Sequence, residues 1–491
     1  PAPFYAFLDK TTTFGEKRGE FMRSPEKFDV ISACRFCHSR KFLYVVLASL
    51  LLLLTESAGA SSHANSATET DPAILTTNAI IDFAITHQTM QGFGASDAFL
   101  DQPLTDAQAD MYFTTTSGIG LSWLRLGIAS NGGLNGGAWS DATKAAARGA
   151  QIWAAPWSAP AAWKDNNSEL SGGHLCAAAG QTDGQGHTCS ASHYDDWASR
   201  LAAFAGLLQQ NAGVPLYGIS IQNEPDYIAS YVSMLVSNNE FVNFINVLGP
   251  KLAALNPKPV LIAGDYSDWA NLWGMTAAIE ANPSALAYTG IYATHQYWRT
   301  STYQGSHPRP LWQSEMSSFE AFDPSIANGV TVAKWIHAAI VDGNVSVWHY
   351  WWLYNPYNES NEGLIGYPEN RNASTKRFYT LGNFSKFVRP GWVRIDVSGQ
   401  SNPNLFVSAY KGPLGKFAIV VINDSASNQS FVANLADARV PLVVPWSTSA
   451  TLDLAAQASI AVSANQFSAI IPNGVTTFVG TNDLIFASGM Q

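Results

Sequence analysis

From about Gln88 onward, apolar residues fall in short runs separated by stretches of helical periodicity. Eight of these runs read as strands: Met90–Ala95, Leu121–Ile128, Gln151–Trp157, Leu216–Asn223, Val260–Asp265, Gly290–Gln296, Leu311–Met316 and Val345–Leu353. Helical stretches lie between them, among them Asp195–Gln210 and Asn239–Leu255. Strand and helix in alternation imply a parallel α/β arrangement. Eight strands over about 300 residues predict a (β/α)8 barrel with enlarged loops. The rival is a doubly wound open sheet. It would call for a Gly-x-Gly-x-x-Gly turn after the first strand, and Gly92-Phe93-Gly94 is too short a match.

After Phe384–Gly391 the helical period stops. Strands then follow at Leu405–Tyr410, Phe417–Ile422, Val440–Val444, Ser459–Val462, Ser468–Ile471 and Val475–Phe478, within a region that begins at Val393. Gly, Asn, Pro and Ser punctuate them, the pattern of an antiparallel β-sandwich. Ala73–Thr86, anchored by Ile80, Ile81 and Ile85, reads as one or two further strands. The expected organisation is 73–87 joining the side domain, 88–386 as the barrel and 387–491 as the sandwich.

The first sixty residues follow another pattern. Lys41 precedes an apolar run of thirteen residues, Phe42–Leu54, and then Ala58-Gly59-Ala60. A positive flank, a short apolar core and a small-x-small site describe a secretory signal over 41–60. The run is short for a membrane span, and a membrane-anchored form is the alternative. Residues 1–40 read as a leader from an over-extended reading frame, and 61–72 as a flexible mature N-terminus. The expected location is therefore outside the cell or in the periplasm.

Composition narrows the partners. The chain carries 27 basic and 37 acidic residues; without the first sixty, which hold eight and six, 19 and 31 remain, a net charge of −12. Nucleic acid and anionic membranes would repel such a body. A neutral polysaccharide meets no such objection, and a monomer is expected. Of the 16 tryptophans, 14 fall between Trp123 and Trp352, a density that suits both a core and stacking on sugar rings. Cys34 and Cys37 lie in the leader with no second pair to complete a zinc site. Cys176 and Cys189 share one polar, Gly-rich loop, where export favours a loop-closing disulfide. No metal-ligand cluster is evident in the sequence, and no cofactor is expected.

The chemistry gathers at strand ends. Ile219-Ser220-Ile221-Gln222-Asn223-Glu224-Pro225-Asp226-Tyr227 starts as a strand and breaks at a proline, which cannot donate a ladder hydrogen bond. Glu224 thus sits at the C-terminal mouth of the fourth strand, where barrels carry reactive groups. The seventh strand delivers Glu315 to the same mouth. Strands four and seven lie nearly opposite in such a barrel, so both carboxyls can face one cleft. Two carboxyls with separated pKa values are what glycosidic cleavage requires. The plain alternative, an ordinary solvated glutamate, does not account for two such placements.

The chain resembles glycoside hydrolase family 30. The matching segments are Gln91-Gly92-Phe93-Gly94, Pro156-Trp157-Ser158-Ala159-Pro160 with Trp163, Ser220–Tyr227, Thr294-His295, Ser314-Glu315, Asn383–Gly391 and Val407–Gly412, the last two resembling the bacterial xylanase branch. The resemblance implies a retaining mechanism, with Glu224 as acid/base and Glu315 as nucleophile. Other expected substrate contacts are Asn223 on a sugar 2-hydroxyl, Arg125 holding the nucleophile ionised, and Tyr227, His295 and Tyr297 beside the carboxyls. Trp157, Trp163 and Trp351 are expected as stacking platforms, and Asp97 as a contact to a sugar hydroxyl. Strand alternation would send Trp351 and Trp352 opposite ways, with Trp351 in the cleft. One departure stands out. The family's glucuronate-dependent xylanases carry two arginines after this Trp-Trp, whereas Leu353-Tyr354-Asn355-Pro356-Tyr357-Asn358 has none.

The expected function is a secreted, retaining endo-β-1,4-xylanase that does not depend on glucuronate branches. The alternatives are a β-1,6-galactanase, β-1,6-glucanase or glucosylceramidase-like activity within the same family. A non-catalytic carbohydrate-binding protein is the alternative from another class.

Overall fold

In the barrel, each strand runs parallel to its neighbours, so its C-terminal residues all reach the same mouth. The computed structural model describes residues 76–297, 302–356, 360–366 and 375–483. The expected leader, signal and mature N-terminus (1–72), together with Tyr357 and Asn358, lie outside these residues. Among the described residues no helix is long and apolar enough to cross a membrane.

In chain order, β1 (Thr76–Thr89) comes first. The barrel strands follow: β2 (Gly92–Ser96), β3 (Trp123–Ile128), β4 (Gln151–Pro156), β5 (Gly218–Ser220), β6 (Val260–Tyr266), β7 (Thr289–His295), β8 (Leu311–Glu315) and β9 (Val345–Tyr354). All pairs between them are parallel, and β8 pairs with β9 as well as β7, which closes the ring. Each of the eight strands read from the sequence is present. A short β10 (Gly363–Ile365), which the sequence reading did not include, adds in parallel to the outside of β9.

Helices cover the ring, and local sequence sets their ends. Ser237 and Glu240 form a capping box at the start of Asn238–Ala253, and Thr105 with Gln108 does the same for Asp106–Phe113. Tyr194–Ala212 stops at Gly213, which takes a left-handed φ of 71°.

The floor of the barrel is aromatic. Trp123 and Trp312 meet at 4.9 Å between ring centroids, and Trp153 lies 5.9 Å from Trp312. Their indole N–H groups donate to the Gln91 carbonyl (2.7 Å), the Gln91 side chain (2.7 Å) and His349 Nε2 (3.0 Å). Burial lowers the His349 pKa to about 3, so the imidazole is a neutral acceptor there. This packed floor leaves the C-terminal mouth as the open end.

The second sheet contains β11 (Val393–Ser398), β12 (Leu405–Lys411), β13 (Lys416–Asn423), β14 (Gln429–Ala436), β15 (Leu442–Ser449), the short β16 (Ala455–Ala456) and β17 (Ile460–Ala461), β18 (Gln466–Ile471) and β19 (Gly474–Thr481). Phe431 on β14, Phe467 on β18 and Phe478 on β19 meet at 4.9–6.3 Å, so the sheet curls over its own apolar face. β1 lies between β11 and β14, antiparallel to the first and parallel to the second. The expected antiparallel side domain is present, since the strands from β11 onward pair antiparallel among themselves, and β1 joins it with one parallel pairing among the described strands. A strand inserted between neighbours that run in opposite directions must be parallel to one of them.

The helix Lys376–Ser385 joins the two parts. Asn383 donates to the Trp446 carbonyl at 2.9 Å, accepts from the Thr448 hydroxyl at 2.6 Å, and its carbonyl accepts from Thr477 at 2.7 Å.

Candidate active site

Strand β5 ends at Ser220, and the chain then bends across the mouth, held there by its neighbours. The Asn223 N–H donates to the Pro156 carbonyl at 2.8 Å, and the Glu224 N–H to the Asp265 carbonyl at 2.8 Å. Pro225 then ends any further pairing. Glu224 has φ 44° and Asp265 has φ 62°. Both are left-handed conformations that non-glycine residues adopt at a cost.

Arg125, from the middle of β3, is fully buried and binds three side chains. Its Nη1 donates to Glu315, while Nη2 donates to Asn223 at 2.6 Å and Asp265 at 2.9 Å. Indole rings surround the guanidinium, with Trp157 at 4.8 Å, Trp153 at 5.0 Å and Trp351 at 5.8 Å. Such faces stabilise a cation that has lost its water. Glu315 also accepts from the Tyr297 hydroxyl at 2.7 Å. Burial raises the Glu315 pKa, and the charge of Glu224 adds to that; His295 and Arg125 pull the other way. Both of its oxygens accept from donors, which favours the ionised form.

His295 ends β7 between the acids. Its Nδ1 lies 3.2 Å from Glu224 and its Nε2 3.0 Å from Asp265 and 3.8 Å from Glu315. Burial would lower the imidazole pKa, but the carboxylates of Glu315, Asp265 and Glu224 outweigh it and raise the value to about 10. For Asp265 burial pushes upward, and Arg125 and His295 overcome it to hold the carboxyl well below the usual range. Ser314 also donates to Asp265.

One ligand-type atom each from Glu224, His295 and Glu315 lies within 4.8 Å of the others. A cation would suit that spacing. However, both imidazole nitrogens already face carboxylates, so protonated His295 supplies the positive charge and has no lone pair to offer a metal.

The other expected site residues divide. Asn223, Arg125, His295, Tyr297, Trp157 and Trp351 gather with the two glutamates. Tyr227 is half-buried in the turn after Glu224, its N–H donating to the Glu224 carbonyl at 3.1 Å. Trp163 packs elsewhere, stacked on His193 at 5.4 Å with Arg200 4.1 Å above its ring. The Asp97 carboxyl is buried against Asp141, which with burial raises its pKa; it is a core group rather than a cleft contact. Trp351 and Trp352 do not point opposite ways; their rings stack at 5.0 Å. The reason is a bulge: Ala95 pairs with Tyr350 and Ser96 with Trp352, which leaves Trp351 unpaired against β2. Cys176 and Cys189 are joined as a disulfide.

Three residues were absent from the sequence reading. Asp265 ties Arg125, His295 and Ser314 together, and its position at the end of the fifth strand was the available signal. Tyr231 donates to Glu224 at 3.0 Å from a loop that carries no periodic signal. Phe99, at φ 64°, sets its ring 4.9 Å from Trp157 and 6.5 Å from Trp351.

Known proteins share this fold. A profile described as the glycosyl hydrolase family 30 beta sandwich domain matches residues 391–462. The glucuronoxylanase XynC of Bacillus subtilis (strain 168) is 33% identical over 302 residues, which is 58% of this chain and 66% of that relative, just under two thirds of its length. Among solved structures, a GH30 endoxylanase from Clostridium papyrosolvens C71 is 30% identical with a TM-score of 0.67, covering 82% of this chain and 100% of its own. The family 30 subfamily 8 xylanase Xyn30A from Clostridium acetobutylicum is 29% identical with a TM-score of 0.70, covering 82% and 99%. With the barrel, the curled side sheet and these likenesses together, the chain belongs to glycoside hydrolase family 30.

Proposed function

We propose that this chain is a retaining endo-xylanase that cleaves β-1,4-xylan by double displacement. The observation that carries the reading is the carboxyl spacing: the nearest oxygens of Glu224 and Glu315 lie within 4.8 Å. Retaining glycosidases hold their carboxyls about 5–5.5 Å apart, and inverting ones about 6.5–9.5 Å, to admit a water between acid and sugar.

In this reading Glu315, held by Arg125 and Tyr297, attacks the anomeric carbon. Glu224 gives its proton to the leaving oxygen and then takes one from the water that releases the sugar. The donors support the division of roles: Arg125 and Tyr297 each donate to one oxygen of Glu315, which suits a carboxylate nucleophile. Asn223 is positioned for the sugar 2-hydroxyl, since Arg125 holds its carbonyl oxygen and its amide nitrogen is left to donate. The stacked Trp351 and the ring of Trp157 beside it offer an apolar wall for the sugar.

Xylan is proposed from the xylanase relatives, and independence from glucuronate from the absence of arginine in 353–366. Export is proposed from the apolar run at 42–54 and fits the Cys176–Cys189 disulfide. The test is hydrolysis of a panel of xylan, β-1,6-galactan, β-1,6-glucan and a glucosylceramide, with the product anomer followed by NMR. Release of the β-anomer first from xylan, lost in Glu315→Gln, is the expected result. Release of the α-anomer first, or activity confined to another member of the panel, would replace this reading.

A further inference from the structure

Phe99, Tyr231 and Phe319 are the most exposed aromatic side chains among the described residues, and all three stand at the barrel mouth. Phe99 meets Trp157 and Trp351, and Tyr231 donates to Glu224. Phe319 follows Glu315 in the next loop, and its ring stacks on Tyr297 with 5.5 Å between centroids and 28° between planes. The hydroxyl of that same tyrosine reaches Glu315 at 2.7 Å, so Phe319 stands one ring away from the proposed nucleophile. Single exposed apolar residues are ordinary. Three aromatic ones gathered around one pair of carboxyls mark a binding surface.

The Phe319 ring is 63% exposed, yet its loop is pinned. The Asn361 N–H donates to the carbonyls of Ser318 and Glu320, on either side of Phe319, both at 3.1 Å. The Asn361 side chain donates to the Ala321 carbonyl at 3.0 Å and accepts from the Asp323 N–H at 2.7 Å and from Arg377 at 3.0 Å. One buried asparagine thus fixes the backbone that presents an apolar ring to solvent. A group held in this way loses little freedom when a ligand covers it.

The order of strands around the barrel divides the aromatic residues. Phe99 follows β2, Trp157 follows β4 and Trp351 belongs to β9, on the same arc as β3 with Arg125. Tyr231, Tyr297 and Phe319 follow β5, β7 and β8, the strands that deliver the two glutamates and His295. The first arc walls the guanidinium that holds Asn223, the expected contact of the sugar that Glu315 attacks. The second borders Glu224, which must face the leaving oxygen.

We propose that Phe319 is a specificity-determining residue whose exposed face stacks against a sugar of the leaving portion, so that the site favours bonds with sugars on that side over bonds to a small leaving group. A pyranose with equatorial hydroxyls offers the apolar C–H face such a ring requires. This inference rests on the xylanase reading above and deepens it, since it gives the leaving portion of the chain a named contact.

The test compares kcat/KM on xylotetraose, which places sugars on both sides of the cleaved bond, with kcat/KM on β-xylobiosyl fluoride, whose leaving group is too small to reach Phe319. Phe319→Ala should lower the ratio of the first to the second by about two- to tenfold, the size of an aromatic contact. Phe319→Leu keeps apolar bulk without a flat face and should lower the ratio too, while Phe319→Trp holds or raises it. If Phe319 only steadied Tyr297 and Glu315, both substrates would lose alike and the ratio would stand. An unchanged ratio in Phe319→Ala, or a wild-type ratio in Phe319→Leu, would overturn the assignment. Wild-type enzyme that cleaves neither substrate removes the xylanase reading and this inference with it. Cleavage of both with an unmoved ratio in the variants removes only the role of Phe319.

Discussion

The Glu224 N–H meets the Asp265 carbonyl at 2.8 Å, and both residues hold left-handed backbone, φ 44° and 62°. Two neighbouring barrel strands thus end in matched, costly conformations joined by one hydrogen bond. Each such conformation costs about 1–3 kcal/mol and persists only where the surroundings enforce it. Here the side chains of Arg125, His295 and Ser314 fix Asp265, and its carbonyl in turn fixes the backbone of the proposed acid.

Asp265→Asn separates charge from shape, because asparagine tolerates left-handed backbone. Removing the anion leaves Arg125 and His295 short of a partner in a buried site, which should cost about 3–5 kcal/mol of stability. Urea unfolding measures this, and a cost below about 1 kcal/mol would show that the network is not the brace described here.

Glu224→Gln should slow xylan hydrolysis by about 100- to 10,000-fold, the usual contribution of a general acid. On an aryl glycoside whose leaving group departs without protonation, the first step should fall far less. Equal losses on both substrates would remove Glu224 from the acid role.

The site also sets a pH window for stability. The lowered pKa of Asp265 contributes stability that is present above its unfolded value, about 3.9, and is lost as pH falls through the folded one. The His295 contribution runs the other way: it is full below the ordinary value of 6.5 and is lost as pH rises toward about 10. Stability from these two groups therefore peaks between about pH 4 and 6.5. Unfolding followed against pH should show an alkaline decline that is flatter in His295→Gln.

The disulfide braces a loop rather than the reaction centre. The Cys176 N–H donates to the Trp163 carbonyl at 2.9 Å, and the His193 N–H to the Cys176 carbonyl at 2.8 Å, so the bridge sits beside the Trp163–His193 stack. With 13 residues of sequence separation, replacing both cysteines by serine should cost at most about 3 kcal/mol. The effect should appear as a lower Tm and a shifted tryptophan emission, with kcat nearly unchanged.

Much of this was legible in the sequence because barrel strands write themselves as apolar runs, and a titratable residue at the end of such a run is conspicuous. Glu224, Glu315 and His295 carry that mark, and so does Asp265 at the end of Val260–Asp265, whereas Arg125 stands out as a charge in the middle of an apolar run. What failed depended on register. The Trp351–Trp352 stack arises from a bulge against β2 that alternation along one strand cannot reveal. Asp97 reads as a cleft residue until its pairing with Asp141, from a helix more than forty residues on, turns it inward. β14 went unread because Gln429, Ser430 and Asn434 interrupt its apolar positions, although its burial alternates cleanly.

The place of β1 between β11 and β14 has a consequence for how the chain is made. The side sheet lacks an interior member until a segment that precedes the whole barrel is laid into it, hundreds of residues distant in sequence from its partners. Closure must wait for the last part of the polypeptide, and long-range pairing of this kind is slow to nucleate. A fragment beginning at Val393 would expose two unsatisfied ladders where β1 belongs, so this domain is not a detachable module, and transplanting it onto another enzyme requires carrying both ends.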